Sequence, residues 1–255
     1  MPKFAANLSM MFNEHEFLER FAAASAAGFE AVEFLFPYDY APSDITAALQ
    51  DNGLTQALFN LFPGDWDAGE RGLACLPGRE EAFQATVERV IPYVQATGVK
   101  QVHMMAGLVG KTDPEAALSC YKANLQFAAQ RLREVGIDVL IEPINQRDMP
   151  GYFLSSTAIA AQIIEELALP NIRLQFDIYH HQITHGDVIR SLEKYFGLIG
   201  HIQIAGVPER HEPDALNELN YPAIFNRLDE LGYDGWIGCE YRPRGETLAG
   251  LGWLA

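Results

Sequence analysis

The chain is short of cysteine, of positive charge and of long apolar runs. Its 255 residues include three cysteines, Cys75, Cys120 and Cys239, far apart and with no C-x-x-C pair, so neither a disulfide framework nor a zinc-thiolate site is indicated. Lys and Arg number 18 against 34 Asp and Glu, a formal net charge of −16. That imbalance argues against nucleic acid and against an anionic membrane surface as partners, because both are held by clustered cations. No apolar stretch approaches the roughly 18 residues of a membrane span. The opening Met1-Pro2-Lys3-Phe4-Ala5-Ala6-Asn7 lacks the charged head and long apolar core of an export signal and reads as a strand. The expectation is a cytoplasmic enzyme or binding protein of ordinary globular composition.

What the chain does have is regular punctuation. Gly28, Gly53, Gly98, Gly136 and Gly232 each close a helical pattern and are followed at once by a β-branched or aromatic run, as expected of a helix stop before a short loop and strand. The segments before them carry apolar residues at helical spacing: Phe83, Val87, Val90, Ile91 and Val94; Leu118, Tyr121, Leu125, Ala128 and Leu132; Ile159, Ile163 and Leu167; Ile224, Leu228 and Leu231. Strands are predicted to start near residues 3, 30, 54, 100, 137, 172, 199 and 235. Eight strands alternating with helices, without a Pro/Gly/Ser-rich linker, imply parallel βαβ units closing into a single (β/α)₈ barrel domain over 1–255. The third unit is long and contains the run from Phe62 to Gly72, so a long loop is expected after strand three, on the face where such barrels keep their chemistry. Gly245 to Ala255 leaves room for only a short or degenerate last helix.

Strand parity sorts the side chains, because alternate residues face opposite sides. In the fifth strand Val139 and Ile141 suit the covering helices, which leaves Leu140 and Glu142 inward; the sixth leaves Gln175 and Asp177, the seventh His201 and Gln203, the eighth Trp236 and Glu240. Four consecutive strands therefore end in Glu142, Asp177, Gln203 and Glu240. Three carboxylates converging in a barrel mouth repel one another and lose hydration, and a divalent metal is the simplest compensation. Oxygen ligands without a thiolate favour Mg²⁺ or Mn²⁺ over zinc. The plainer alternative is four solvated polar groups at strand ends.

The stretches Gly64-Asp65-Trp66 with Gly69-Glu70-Arg71-Gly72, Glu142-Pro143-Ile144-Asn145 running into Arg147-Asp148-Met149-Pro150-Gly151-Tyr152-Phe153-Leu154, Asp177-Ile178-Tyr179-His180, and His201-Ile202-Gln203 make the chain resemble the hydroxypyruvate isomerase family of xylose-isomerase-like metal-dependent barrels. The resemblance covers essentially the whole chain. It implies a metal held by Glu142, Asp177, Gln203 and Glu240, with Glu142 and Glu240 also the acid/base pair, and interconversion of hydroxypyruvate and tartronate semialdehyde. Such an aldose–ketose isomerisation needs a proton removed beside a carbonyl, an enediolate, and a proton returned to the neighbouring carbon. The substrate is then a small anionic hydroxy-oxo acid whose carboxylate needs its own cation, with Arg71 and Arg147 the first candidates and Arg210 the next. His180 is a candidate donor to a substrate oxygen, or else a hydrated loop histidine.

Relatives acting on a 2-oxo-tetronate, a ketose 3-epimerase on the same metal site, a metal-dependent DNA repair nuclease and a non-catalytic metal-binding barrel are the alternatives. The nuclease would need a basic groove and more histidine ligands than this chain supplies. Homo-oligomer formation is compatible with the sequence and not dictated by it. His181 and His185 are four apart but lack the glutamate of a zinc-protease helix. Asn7-Leu8-Ser9 is read as a chance glycosylation match, and Gly250-Leu251-Gly252 lies too near the end for a dinucleotide loop. Glu33 and His103 are expected inside the barrel, as packing or as hydrogen-bond partners of the site residues.

Overall fold

A computed structural model describes residues 2–254. The strands are β1 (Lys3–Asn7), β2 (Ala31–Glu33), β3 (Thr55–Leu58), β4 (Gln101–His103), β5 (Asp138–Ile141), β6 (Ile172–Asp177), β7 (Ile199–Ile204) and β8 (Trp236–Cys239). Each starts within one residue of its predicted position. The helices between them are α1 (Glu19–Ala26), α2 (Pro42–Asp51), α3 (Glu80–Thr97), α4 (Pro114–Arg133), α5 (Thr157–Leu167), α6 (Ile178–Thr184) with α7 (Val188–Tyr195), and α8 (Tyr221–Leu231). The last unit ends in a 3₁₀ segment, Thr247–Leu254, the degenerate final helix expected of the short tail. No described helix is long and apolar enough to cross a membrane.

All strand pairs are parallel, in the order β3-β2-β1-β8-β7-β6-β5-β4. The seam between β3 and β4 is closed just above β3 by a single parallel bridge, Asn60 to His103, in which the His103 amide donates to the Phe59 carbonyl and the Leu61 amide to the His103 carbonyl, each at 2.9 Å. The result is a nearly closed (β/α)₈ barrel.

Local chemistry explains the element ends. Gly98 sits at φ 73° and stops α3, a left-handed conformation that costs a residue with a Cβ about 1 kcal/mol or more. Asp113 caps α4 by accepting from the Ala116 amide, with Pro114 at the first helical position. The predicted helix faces are buried or, at Leu118, Leu167 and Leu231, partly buried, with one correction. Ile159 is 50% exposed, because α5 turns Ala160, Ala161, Ile163 and Ile164 inward and the i, i+3, i+4 stripe starts one residue later than the apolar pattern suggested.

Inside the barrel the side chains lie in layers. At the amino end of the strands Trp236 fills the space left by Ala5, Ala31 and Ala57. Above it lies a polar layer built on Glu33, and above that the carboxyl ends of β5 to β8. The long loop after β3, residues 59–79, packs against the segments that follow β2 and β4, with Trp66 against Phe36 at 5.2 Å between ring centroids and the Cys75 amide donating to the Ala106 carbonyl.

Candidate active site

The polar layer is held by one buried carboxylate. Glu33 accepts from Asn7 Nδ2 at 2.9 Å and Gln203 Nε2 at 2.8 Å on Oε1, while Oε2 lies 2.7 Å from His201 Nε2. Gly238 on β8 makes this possible, since a Cβ there would overlap the Glu33 carboxylate. Glu33 thus takes the hydrogen-bonding part expected of it. Gln203 is oriented from two sides, because its Oε1 also accepts from Gln175 Nε2 at 2.6 Å. The oxygen keeps a second lone pair, and Gln203 is the register partner of Asp177.

Glu142, directly after β5, and Asp177, the last residue of β6, rise above this layer, 4% and 3% exposed. Asp177 has two uses. Its Oδ1 caps α6 by accepting from the amides of Tyr179 at 2.7 Å and His180 at 3.2 Å, and Oδ2 faces the mouth. The cap explains the Asp177-x-x-His180 spacing: it starts a helix whose first turn carries His180 back over the barrel. His180 is therefore a buried helical residue rather than a hydrated loop histidine. Its Nε2 lies 3.8 Å from Glu142 Oε1 and 3.7 Å from Asp177 Oδ2. Ligand atoms of Glu142, Asp177 and His180 all lie within 4.8 Å of one another, a group able to hold a metal ion. Both carboxylate oxygens that face His180 are buried without a hydrogen-bond partner. Buried acceptors of this kind are costly unless a cation or donor meets them, so the donor set fits a divalent metal.

Glu240, after β8, completes the predicted quartet and is met by Arg210, whose Nη2 lies 3.1 Å from Glu240 Oε2 and 3.8 Å from Asp177 Oδ2. Arg210 stands at φ 60° in the loop after β7, pinned by its amide on the Gly206 carbonyl and by the Arg242 amide on its own carbonyl. Burial and the neighbouring Glu240 and Asp177 push the Glu142 carboxyl well above its ordinary range. Glu240 is pushed up to about 8, by burial first, with Arg210 opposing and Asp177 adding. Burial also raises Asp177, again against Arg210. The guanidinium of Arg210 is itself raised, since Glu240, Asp177 and Glu142 outweigh the cost of burying it. His103, with Nδ1 3.5 Å from Glu142 Oε2, is driven down to about 3 by burial and by His201.

The arginines divide differently from the sequence expectation. Arg210, ranked third, enters the carboxylate cluster. Arg147 stays at the rim, donating to Tyr179 Oη at 3.0 Å and to the Pro208 carbonyl at 2.6 Å. Arg71 is spent within its own loop: it donates to the carbonyls of Trp66 and Glu70 and stacks over the Trp66 ring at 3.7 Å. A cavity of about 420 Å³ opens beside the cluster and is lined by Arg147, Arg210 and Arg242 with Asp148 and Tyr179. Arg242 was not anticipated, although the β8 parity that selects Glu240 selects it too. A larger cavity, about 1200 Å³, lies away from the strand-end carboxylates between the loop at 212–220, α8 and the C-terminal segment. Its arginine, Arg244, is taken up by Glu212 at 3.1 Å and Asp214 at 2.6 Å.

A family model described as a xylose isomerase-like TIM barrel matches residues 21–255. A 2-oxo-tetronate isomerase from Cupriavidus necator is 59% identical, with 100% of this chain and 98% of that protein covered. A hydroxypyruvate isomerase from Escherichia coli is 43% identical with the same coverage. Among solved structures, a Brucella melitensis protein titled AP endonuclease, family 2, superposes with a TM-score of 0.98 at 49% identity, covering 100% of this chain and 98% of that one.

Proposed function

We propose, since the chain belongs to the hydroxypyruvate isomerase family of xylose isomerase-like TIM barrels, that it is an isomerase of small hydroxy-oxo acids. The observation that carries this reading is the convergence of Glu142, Asp177 and His180 at the mouth, with Arg210 and Glu240 beside them. The 59% identity to a relative named 2-oxo-tetronate isomerase favours the four-carbon acid. Hydroxypyruvate, named for the 43% identical relative, shares the carboxylate, carbonyl and hydroxyl groups on which the chemistry acts. The nuclease title of the Brucella protein is not carried over, because a chain of net charge −16 is a poor match for a phosphate backbone.

Glu142, Asp177, Gln203 and Glu240 would hold a divalent metal, and their oxygen donors suit Mg²⁺ or Mn²⁺. Such an ion, when bound, stabilises negative charge developing on neighbouring substrate oxygens. Glu142 and Glu240 stand on strands separated by β6 and β7, so they approach the mouth from two sides. One removes the proton beside the carbonyl and the other returns a proton to the adjacent carbon. Burial raises both carboxyls above their ordinary range and brings Glu240 to about 8, where a group can accept and release a proton near neutral pH. His180 donates to a substrate oxygen. Arg210, Arg147 and Arg242 receive the substrate carboxylate, and Arg71 braces the long loop after β3 through Trp66. Three free, buried cysteines suit a reducing, cytoplasmic setting.

The test is an assay of protein loaded with Mg²⁺ or Mn²⁺, and of the same protein after chelation, against a 2-oxo-tetronate, hydroxypyruvate and a neutral ketose. Turnover of either acid that is lost with the metal and restored by it is expected. Turnover confined to the neutral ketose would remove the arginines from their carboxylate role, and no turnover of any of the three would leave a metal-binding barrel.

A further inference from the structure

His180 has one ring nitrogen at the carboxylates and the other turned away, and the second nitrogen decides what the first can do. Asn145, three residues past Glu142, approaches Nδ1 with its side-chain Nδ2 at 2.6 Å and its backbone N–H at 3.4 Å. A backbone N–H can only donate. The side-chain amide cannot be turned over either, because Asn145 Oδ1 already accepts from the Asp148 amide at 2.8 Å, and Nδ2 also donates to Asp148 Oδ2 at 3.4 Å. Two donors therefore meet Nδ1, which must offer its lone pair. In an imidazole whose Nδ1 accepts, the hydrogen is on Nε2, the nitrogen that faces Glu142 Oε1 and Asp177 Oδ2.

We propose that Asn145 is a positioning residue that locks His180 as the Nε2–H tautomer, so that His180 serves as a hydrogen-bond donor to a substrate oxygen and not as a metal ligand. A metal-binding histidine commonly shows the reverse pattern, its far nitrogen donating to a carboxylate or carbonyl while the near one gives its lone pair to the metal. The lock separates two readings that distance alone leaves equal, since His180 Nε2 lies as close to the unpartnered carboxylate oxygens as a ligand would. It also leaves the fourth ligand position to Gln203, whose amide is oriented by Glu33 and Gln175. The Asn145-x-x-Asp148 turn supplies the rigidity: the Asp148 amide fixes the asparagine, and the asparagine fixes the histidine. The inference deepens the proposed function, on which the substrate part of it rests.

The tautomer can be read directly by ¹⁵N NMR of imidazole-labelled protein, with His180 assigned by comparison with His180→Gln. A protonated Nε2 and an unprotonated Nδ1 are expected in metal-free protein, with no coordination shift of Nε2 on adding Mg²⁺ or Zn²⁺. A protonated Nδ1, or an Nε2 resonance moved by Zn²⁺, would overturn the proposal. The spectrum is recorded without substrate, so its outcome is independent of whether either acid is turned over. Asn145→Asp keeps the acceptor for the Asp148 amide but turns an acceptor toward Nδ1. This variant is expected to protonate Nδ1, to lower kcat by about 10²-fold as the loss of one donor to a charged oxygen does, and to tighten Zn²⁺ binding roughly tenfold or more as Nε2 becomes a ligand. An unchanged tautomer and unchanged kcat in that variant would equally refute it. Should Asn145→Asp fail to fold, the wild-type spectrum decides alone.

Discussion

The two halves of the barrel are built from the same βα unit and end in opposite chemistry. Strands β5 to β8 finish in Glu142, Asp177, Gln203 and Glu240, side chains that look into the mouth and, apart from Gln203, end in carboxyl groups. Strands β1 to β4 supply Asn7, which donates to Glu33, and Glu33 and His103, which are turned onto side chains of the other half. Behind these lies an aromatic shelf in which Phe34 meets Phe21 at 5.9 Å and Phe59 at 6.4 Å, and Tyr38 meets Tyr93 at 5.3 Å. The difference teaches how a small enzyme keeps three acidic groups dry: one half concentrates charge and loses hydration, and the other offsets that cost by dense packing and by orienting neutral donors.

The division can be broken most sharply at its charged half. Glu142→Gln and Glu240→Gln should each lower kcat by roughly 10²- to 10⁴-fold. Glu142→Gln should not lower the melting temperature of the metal-free protein, because burial disfavours ionisation of this carboxyl and an amide carries no such cost, whereas Glu240→Gln should lower it, because Arg210 loses its nearest counter-charge. Steady-state kinetics and thermal melts read the two arms, and full activity in both variants would end the assignment. At the packing half, Phe34→Ala should cost about 3–5 kcal/mol by urea denaturation, the range for a buried aromatic truncated to Ala. Metal affinity at saturating folded protein should not follow it. A parallel loss of metal binding would show the halves to be less separate than described.

Smaller effects sharpen the same boundary. Arg242→Gln should raise KM for the acid substrates by roughly 10- to 100-fold, the worth of a hydrogen bond to a charged group, with stability within about 0.5 kcal/mol because the side chain is exposed. Arg71→Gln is the control: if it, and not Arg242→Gln, raises KM, the carboxylate is received under the long loop of the first half. The smallest change expected is in Asp113→Ala, which removes the α4 cap and should cost about 1 kcal/mol with turnover unchanged. A loss of turnover there would mean that helix ends of the first half reach the site.

Much of the site was legible because period-two alternation is a local property. Parity in β5, β6 and β8 needed no knowledge of neighbouring strands to turn Glu142, Asp177 and Glu240 inward. What the sequence left open depended on long-range placement. Arg71 and Arg147 lie within recognisable motifs, but Arg71 stacks on Trp66, and Arg210 is carried to Glu240 by a loop whose path no spacing rule describes. Ile159 was misplaced because a stripe of small alanines buries as well as isoleucine does, and hydropathy alone undervalued Ala160 and Ala161. Asn145 stood inside a recognisable motif, but its hydrogen bonds run to His180, 35 residues away.

The amino-acid sequence by itself determined the eight repeats, the strand positions and the inward set of polar residues, since each follows from side-chain periodicity and helix stops within a few residues. Only the tertiary structure decided which arginine meets the carboxylates, how Glu33 orients Gln203, and which nitrogen of His180 faces them. Those outcomes are set by contacts between strands and loops far apart in the chain, where a hydrogen bond's direction depends on the partner that closure of the barrel brings to it.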